Sequence, residues 1–102
     1  MKTFTTLLAG VVIAMTAHTA FAHDLDAAQG QALRDNGTIQ SVEKLNAAAL
    51  ESHPGAKITD TELENEYGKY IYKVELQDEK GIEWDLELDA VTGQVYEDHQ
   101  DN

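Results

Sequence analysis

The chain has no cysteine, one proline, one tryptophan and only seven basic residues among 102. Each shortage excludes something. Without cysteine there is no disulfide staple, no zinc-thiolate site, no thiol nucleophile and no thioether link to haem. No cysteine follows the N-terminal apolar run, which rules out a lipoprotein anchor. Nineteen acidic residues give a net charge of −12. Such a chain repels phosphate backbones and anionic lipid heads, so nucleic-acid binding and polybasic membrane docking are excluded. A Gly-x-Ser-x-Gly elbow, a His-Glu-x-x-His helix, a phosphate loop and an Asp-x-Asp-x-Asp-Gly calcium loop are all missing. Long hydrophobic runs are missing too. The longest, Leu7 to Met15, is soon broken by Thr16, His18 and Thr19 and is too short for a secure membrane span.

That short run has another use. Lys2 precedes it, and Ala20-Phe21-Ala22 follows as a small-x-small cleavage site. Together they read as a secretory signal peptide over residues 1–22, which makes the protein periplasmic or secreted. Cleavage removes Lys2, so the mature chain is more acidic still, and no membrane span remains. What is left, about 80 residues, is a size at which folding buries only about 60–65% of the chain's surface. A sheet and its covering helix must hold the fold unaided.

The strongest pattern runs from Lys69 to Val95. Tyr70, Tyr72, Val74 and Leu76 share one parity, and Ile82, Trp84, Leu86 and Leu88 share another. Such alternation marks strands with one buried and one wet face. Asp78-Glu79-Lys80-Gly81 between them is a polar turn, so an antiparallel hairpin is expected. Upstream, Asp24 to Asn36 reads as a helix with Leu25, Ala28, Ala32 and Leu33 on one stripe, weakened by Gly30. Thr38-Ile39-Gln40 is a short link. Ser41 caps a second helix with Val42, Leu45, Ala49 and His53 on its inner stripe, ended by Pro54-Gly55.

Ala56 to Glu66 is a first strand with conflicting parity. Ile58 opposes Thr59, Thr61 and Leu63, and a bulge or twist is expected near Ile58. Asp89 to Gly93 is a tight turn whose Asp89 accepts backbone N–H groups. Gln94 to Tyr96 adds a last short strand, and residues 97–102 form a polar, fraying tail. The expected fold is α+β: an antiparallel meander of three to four strands, covered on one face by a helix, after a short N-terminal helix. The divisions are 1–22 signal peptide, 23–40 helix and link, 41–96 αβββ domain, and 97–102 tail.

The segments His53-Pro54-Gly55-Ala56-Lys57-Ile58, Leu63-Glu64, Tyr70 to Leu76, and above all Leu86-Glu87-Leu88-Asp89-Ala90-Val91-Thr92-Gly93-Gln94-Val95 resemble the PepSY family. The resemblance spans about residues 41–95 and implies an αβββ unit. In propeptides of thermolysin-type metallopeptidases, such a unit helps fold and restrain the attached enzyme. No peptidase follows in this sequence, so restraint would act in trans. The resemblance supplies no catalytic residues. It implies a non-catalytic binding module that modulates or inhibits an exported protein such as a peptidase, with no cofactor.

Several constellations compete with that reading. Glu83, Asp85, Glu87 and Asp89 share the outward parity of one strand, with Glu75 beside them and Glu62 and Glu64 as possible extensions. Oxygen-rich patches bind calcium or magnesium. Yet same-face residues recur only every 7 Å or so along a strand, so they converge poorly on one ion. A solvated acidic face accounts for them. It also offers a candidate partner surface at Glu75, Glu83, Asp85 and Glu87.

His23, the mature N-terminus, would pair an amine with an imidazole, and His99 lies in an acidic stretch; both are candidate copper ligands. Ordinary processing and a polar tail account for them equally. His53 suits a helix C-terminus. Trp84 and most tyrosines fall at core parity, while Tyr67 at a turn and Tyr96 near an edge are the exceptions. The alternative function is an envelope cation sensor or buffer, through the acidic face or the N-terminal histidine.

Overall fold

The computed structural model describes residues 23–101; the expected signal peptide lies outside them. Its elements are β1 (His23–Asp24), α1 (Ala27–Asp35), α2 (Val42–Ser52), β2 (Lys57–Glu66), β3 (Lys69–Gln77), β4 (Glu83–Asp89) and β5 (Val95–Asp101). The five strands form one antiparallel meander in the order β1-β2-β3-β4-β5.

The expected hairpin is β3–β4, in the register Tyr72↔Leu88, Val74↔Leu86 and Leu76↔Trp84. Its apolar parity faces α2. Leu45 and Ala49 of α2 are wholly buried and share one core with Tyr72, Val74, Leu76, Leu86 and Leu88. Ser41 caps α2 by accepting the Lys44 N–H. Tyr72, the polar member of this core, satisfies its hydroxyl by donating to Asn46 Oδ1 at 2.8 Å. Burial of this apolar face, at about 25 cal/mol per Å², is the main source of stability.

The parity conflict in β2 is resolved by a bulge. Ile58 pairs with Leu76 and Asp60 with Glu75, so Thr59 is the extra residue. Its hydroxyl donates to the Glu75 carbonyl at 3.2 Å. The bulge lets Ile58 and Leu63 both face the core despite their odd spacing.

Three expectations need correction. First, the N-terminal helix starts at Ala27, not Asp24. Asp26 is its N-cap, in a reciprocal capping box with Gln29, while His23–Asp24 pairs with Asn65 and Glu64 as β1. The box ends the helix at residue 26 and leaves the preceding backbone free to extend. Second, Ala28 and Ala32 are exposed, and the inward residues of α1 are Gly30, Leu33 and Arg34. Gly30 permits the close approach: a Cβ there would stand 3.3 Å from Leu63 Cδ2.

Third, residues 97–101 are not a fraying tail. They continue β5, with Glu87↔Glu97, Asp85↔His99 and Glu83↔Asp101 in register and a bulge at Tyr96. The ladder of backbone hydrogen bonds holds them, which no apolar pattern signals.

Candidate functional site

One face of the sheet carries α1 and α2, and among the described residues no helix covers the other. The register decides what this open face displays. Asp60, Glu75, Asp85 and His99 are direct cross-strand neighbours, as are Glu62, Lys73, Glu87 and Glu97 in the next row. Neighbouring strands lie about 4.8 Å apart, so each row is a ladder of closely spaced groups. Around the two rows lies a solvent-open depression of about 310 Å³.

The rows differ electrically. In the second, Lys73 Nζ lies 3.3 Å from Glu64 Oε2 and 4.0 Å from Glu87 Oε2. Burial lowers the proton affinity of Lys73, but the hydrogen bond to Glu64 and the charges of Glu64, Glu87 and Glu66 outweigh it, and its pKa is raised. In the first row three carboxylates follow one another without a cation between them. Glu75 is pushed above the ordinary carboxylate range by loss of solvent, then by repulsion from Asp85, Asp60, Glu83 and Asp101. Like charges directly opposite on neighbouring strands oppose folding.

A second acidic group sits where β1 joins the sheet. Carboxylate oxygens of Asp24, Glu62 and Glu64 lie within 4.8 Å of one another. Repulsion from Asp24 is the largest cause of a raised Glu62 pKa, followed by desolvation and a hydrogen bond with Asp24. These groups are exposed or half-exposed, and they could hold a hard cation only as a shallow, partly hydrated site.

The candidate residues fall into place as follows. Glu75, Glu83, Asp85 and Glu87 all come together on the open face. His99 joins them opposite Asp85, with its Nδ1 3.9 Å from Glu97 Oε1. His23 does not join them: β1 and β5 are opposite edges of the sheet, so no joint copper site forms from His23 and His99. His53 caps α2 and reaches across to β5, where Asp98 meets its Nε2 at 2.7 Å. Its ring also lies 4.4 Å from that of Trp84.

Sequence reading missed the roles of Asp24, Glu97 and Asp98, which depend on β1 and β5 being strands. The alternation of Glu97, His99 and Asp101 with Asp98 and Gln100 has no hydrophobic contrast to reveal it.

Two further aspartates serve the turns. Asp78 accepts from the Lys80 and Ile82 N–H groups and from Trp84 Nε1. The Trp84 bond, then the Ile82 N–H, holds its pKa below the usual range. Asp89 accepts from the Val91 and Thr92 N–H groups, as expected, and from the Tyr96 hydroxyl at 2.8 Å. Burial alone would raise its pKa, but these bonds, led by Tyr96, outweigh burial and lower it.

No curated protein and no solved structure matches the chain. A family model described as "Peptidase propeptide and YPEB domain", PepSY, matches residues 39–99. That match covers α2, β2, β3, β4 and β5 as far as His99, more than half of the 102 residues. An alanine-bearing helix laid across an antiparallel meander whose last turn is Asp89-Ala90-Val91-Thr92-Gly93, together with that match, makes this chain a member of the PepSY family.

Proposed function

We propose that this protein is an exported, non-catalytic binding module that modulates another exported protein, a peptidase foremost, in trans. The observation that carries the reading is the unlayered acidic sheet face. The Asp60–Glu75–Asp85 row sets like charges opposite one another on neighbouring strands, an electrostatic disadvantage to the fold. A basic partner surface would relieve that repulsion on docking, and its approach would be steered by charge. Membership of a family typically without catalysis fits this, as does its occurrence in peptidase propeptides. The partner then belongs to the periplasm or the extracellular space.

The test is to mix the mature chain with a thermolysin-type metallopeptidase of the same cell envelope and follow both binding and proteolytic rate. Binding that weakens as salt rises, with a changed rate, is the expected result. No binding at low salt sinks the reading.

A second reading, an envelope cation binder, is favoured by the Asp24, Glu62 and Glu64 carboxylates. Calorimetry with calcium and magnesium tests it: a Kd in the millimolar range or tighter, lost in Glu62→Gln, is expected on this reading. Heats no larger than dilution would dismiss it.

A further inference from the structure

Three large hydrophobic side chains are strongly exposed among the described residues: Tyr67 at 71%, Val91 at 48% and Tyr96 at 39%. They come from distant parts of the chain, yet the topology gathers them. Tyr67 sits in the β2–β3 turn, Val91 in the β4–β5 turn, and Tyr96 at the start of β5. Both turns lie at the same end of the meander, as the Ile71↔Asp89 pairing requires. Lys69, next to the first turn, places its ammonium 4.8 Å from the Tyr96 ring centre. The opposite end, with the Asp78–Ile82 turn, has no such residue among those described.

Tyr67 is unusual for a second, independent reason. Glu66 pairs with Lys69, so Tyr67-Gly68 is a two-residue hairpin loop. Its φ angles are 53° and 91°, both positive, as a type I′ turn requires. That geometry favours asparagine, aspartate or glycine at the first position. Tyr67 is the only non-glycine residue with positive φ among the described residues. An aromatic residue held there, with its side chain mostly in water, gains little from packing to offset the strain. Strain kept without local benefit is a mark of functional sites.

We propose that this end of the sheet is the anchor by which the module grips its partner, with the Tyr67 ring entering an apolar socket and Val91 and Tyr96 packing around it. The inference rests on the binding-module reading above and adds where contact is made. Rigid aromatic side chains exposed on a stiff turn are typical of the residues that dominate an interface. The rim fixes the partner's charge. Glu66 flanks Tyr67, Asp89 holds the Tyr96 hydroxyl, and Lys69 is engaged with the Tyr96 ring. Two carboxylates against one ammonium leave this rim net acidic on a chain of net charge −12, so the socket has basic groups at its edge. A second copy, with its own net charge of −12, would bring like charges together.

The experiment compares wild type, Tyr67→Asn and Tyr67→Phe in binding to the envelope metallopeptidase, alongside their melting temperatures. Tyr67→Asn should melt no lower than wild type, because asparagine suits the turn, yet bind at least about tenfold more weakly. Tyr67→Phe should bind within about threefold of wild type, since the ring is kept. Wild-type binding that is unchanged in Tyr67→Asn overturns the anchor and leaves the module intact. Absence of wild-type binding overturns the module, and the anchor with it. Self-association in sedimentation that Tyr67→Asn abolishes would put a second copy on the patch and overturn this assignment.

Discussion

His53 Nε2 stands 2.7 Å from Asp98 Oδ1 and 2.9 Å from Oδ2. The contact joins the C-cap of α2 to the edge strand β5, 45 residues later. The imidazole also leans on Trp84, with ring centres 4.4 Å apart, while Trp84 Nε1 donates to Asp78. A helix end, a central strand, a turn and an edge strand are thus tied through one ring. Beyond the backbone ladder, β5 has little side-chain burial to hold it down, since only Val95 of that strand packs on the core.

Asp98→Ala should therefore loosen β5 more than it loosens the domain. Loss of a partly exposed charge-assisted bond should cost about 1 kcal/mol of global stability. Amide exchange across residues 97–101 should speed up by at least about tenfold, with Leu76 and Leu86 amides far less affected. If all amides accelerate equally, β5 is not a separable unit and the contact has been misjudged.

The central hairpin was legible because each strand contrasts an apolar with a charged parity. The bulge at Thr59 was legible from the odd spacing of Ile58 and Leu63. β1 and β5 were not. Of β5, only Val95 reaches the core cluster, and the pairing of the remainder is backbone work that leaves no trace in side-chain type. The same limit applies to the site. Glu75, Glu83, Asp85 and Glu87 could be placed on one face from parity alone. That Asp60 and His99 complete a row with Glu75 and Asp85 depends on bulges at Thr59 and Tyr96, which set the register. The Tyr67 turn was visible as a turn, but its φ was not.

The dependence of stability on pH should have a maximum on the acid side of neutrality. Glu62 and Glu75 have raised pKa values in the folded state. Each opposes folding when ionised, so stability rises as pH falls from neutral toward their folded pKa values and levels off below the unfolded ones. Asp78 and Asp89 have lowered pKa values. Their stabilisation is complete above the unfolded carboxylate range and is lost as pH falls through their depressed values. Melting temperature should peak between about pH 4 and pH 6. Glu75→Gln should raise the melting temperature at neutral pH by roughly 1–5 °C and flatten the acid-side rise. A profile that climbs steadily to neutral pH would contradict this assignment.

Leu76 is wholly buried and faces Ile58 and Trp84 across the sheet. Leu76→Ala should cost about 2–5 kcal/mol. A domain of about 80 residues without a disulfide has little stability beyond that. The variant should be largely unfolded at 37 °C by circular dichroism, and a cooperative melt within a few degrees of wild type would mean that the core lies elsewhere.

Lys73 is the cation at the centre of the open face, between Glu64 and Glu87. It is partly exposed, so its direct ion pairs contribute only about 0–1 kcal/mol. Its larger effect is to separate like charges. Lys73→Gln makes the second row as uncompensated as the first, leaving Glu62, Glu64, Glu87 and Glu97 facing one another. The melting temperature should fall by roughly 2–6 °C at low ionic strength. Salt shortens the range of the new repulsion, so most of the deficit should vanish near 0.5 M sodium chloride, where the screening length is only about 4 Å. A deficit that salt leaves untouched would mean that Lys73 acts through packing of its aliphatic stem rather than through charge, and the ladder account of this face would have to be given up.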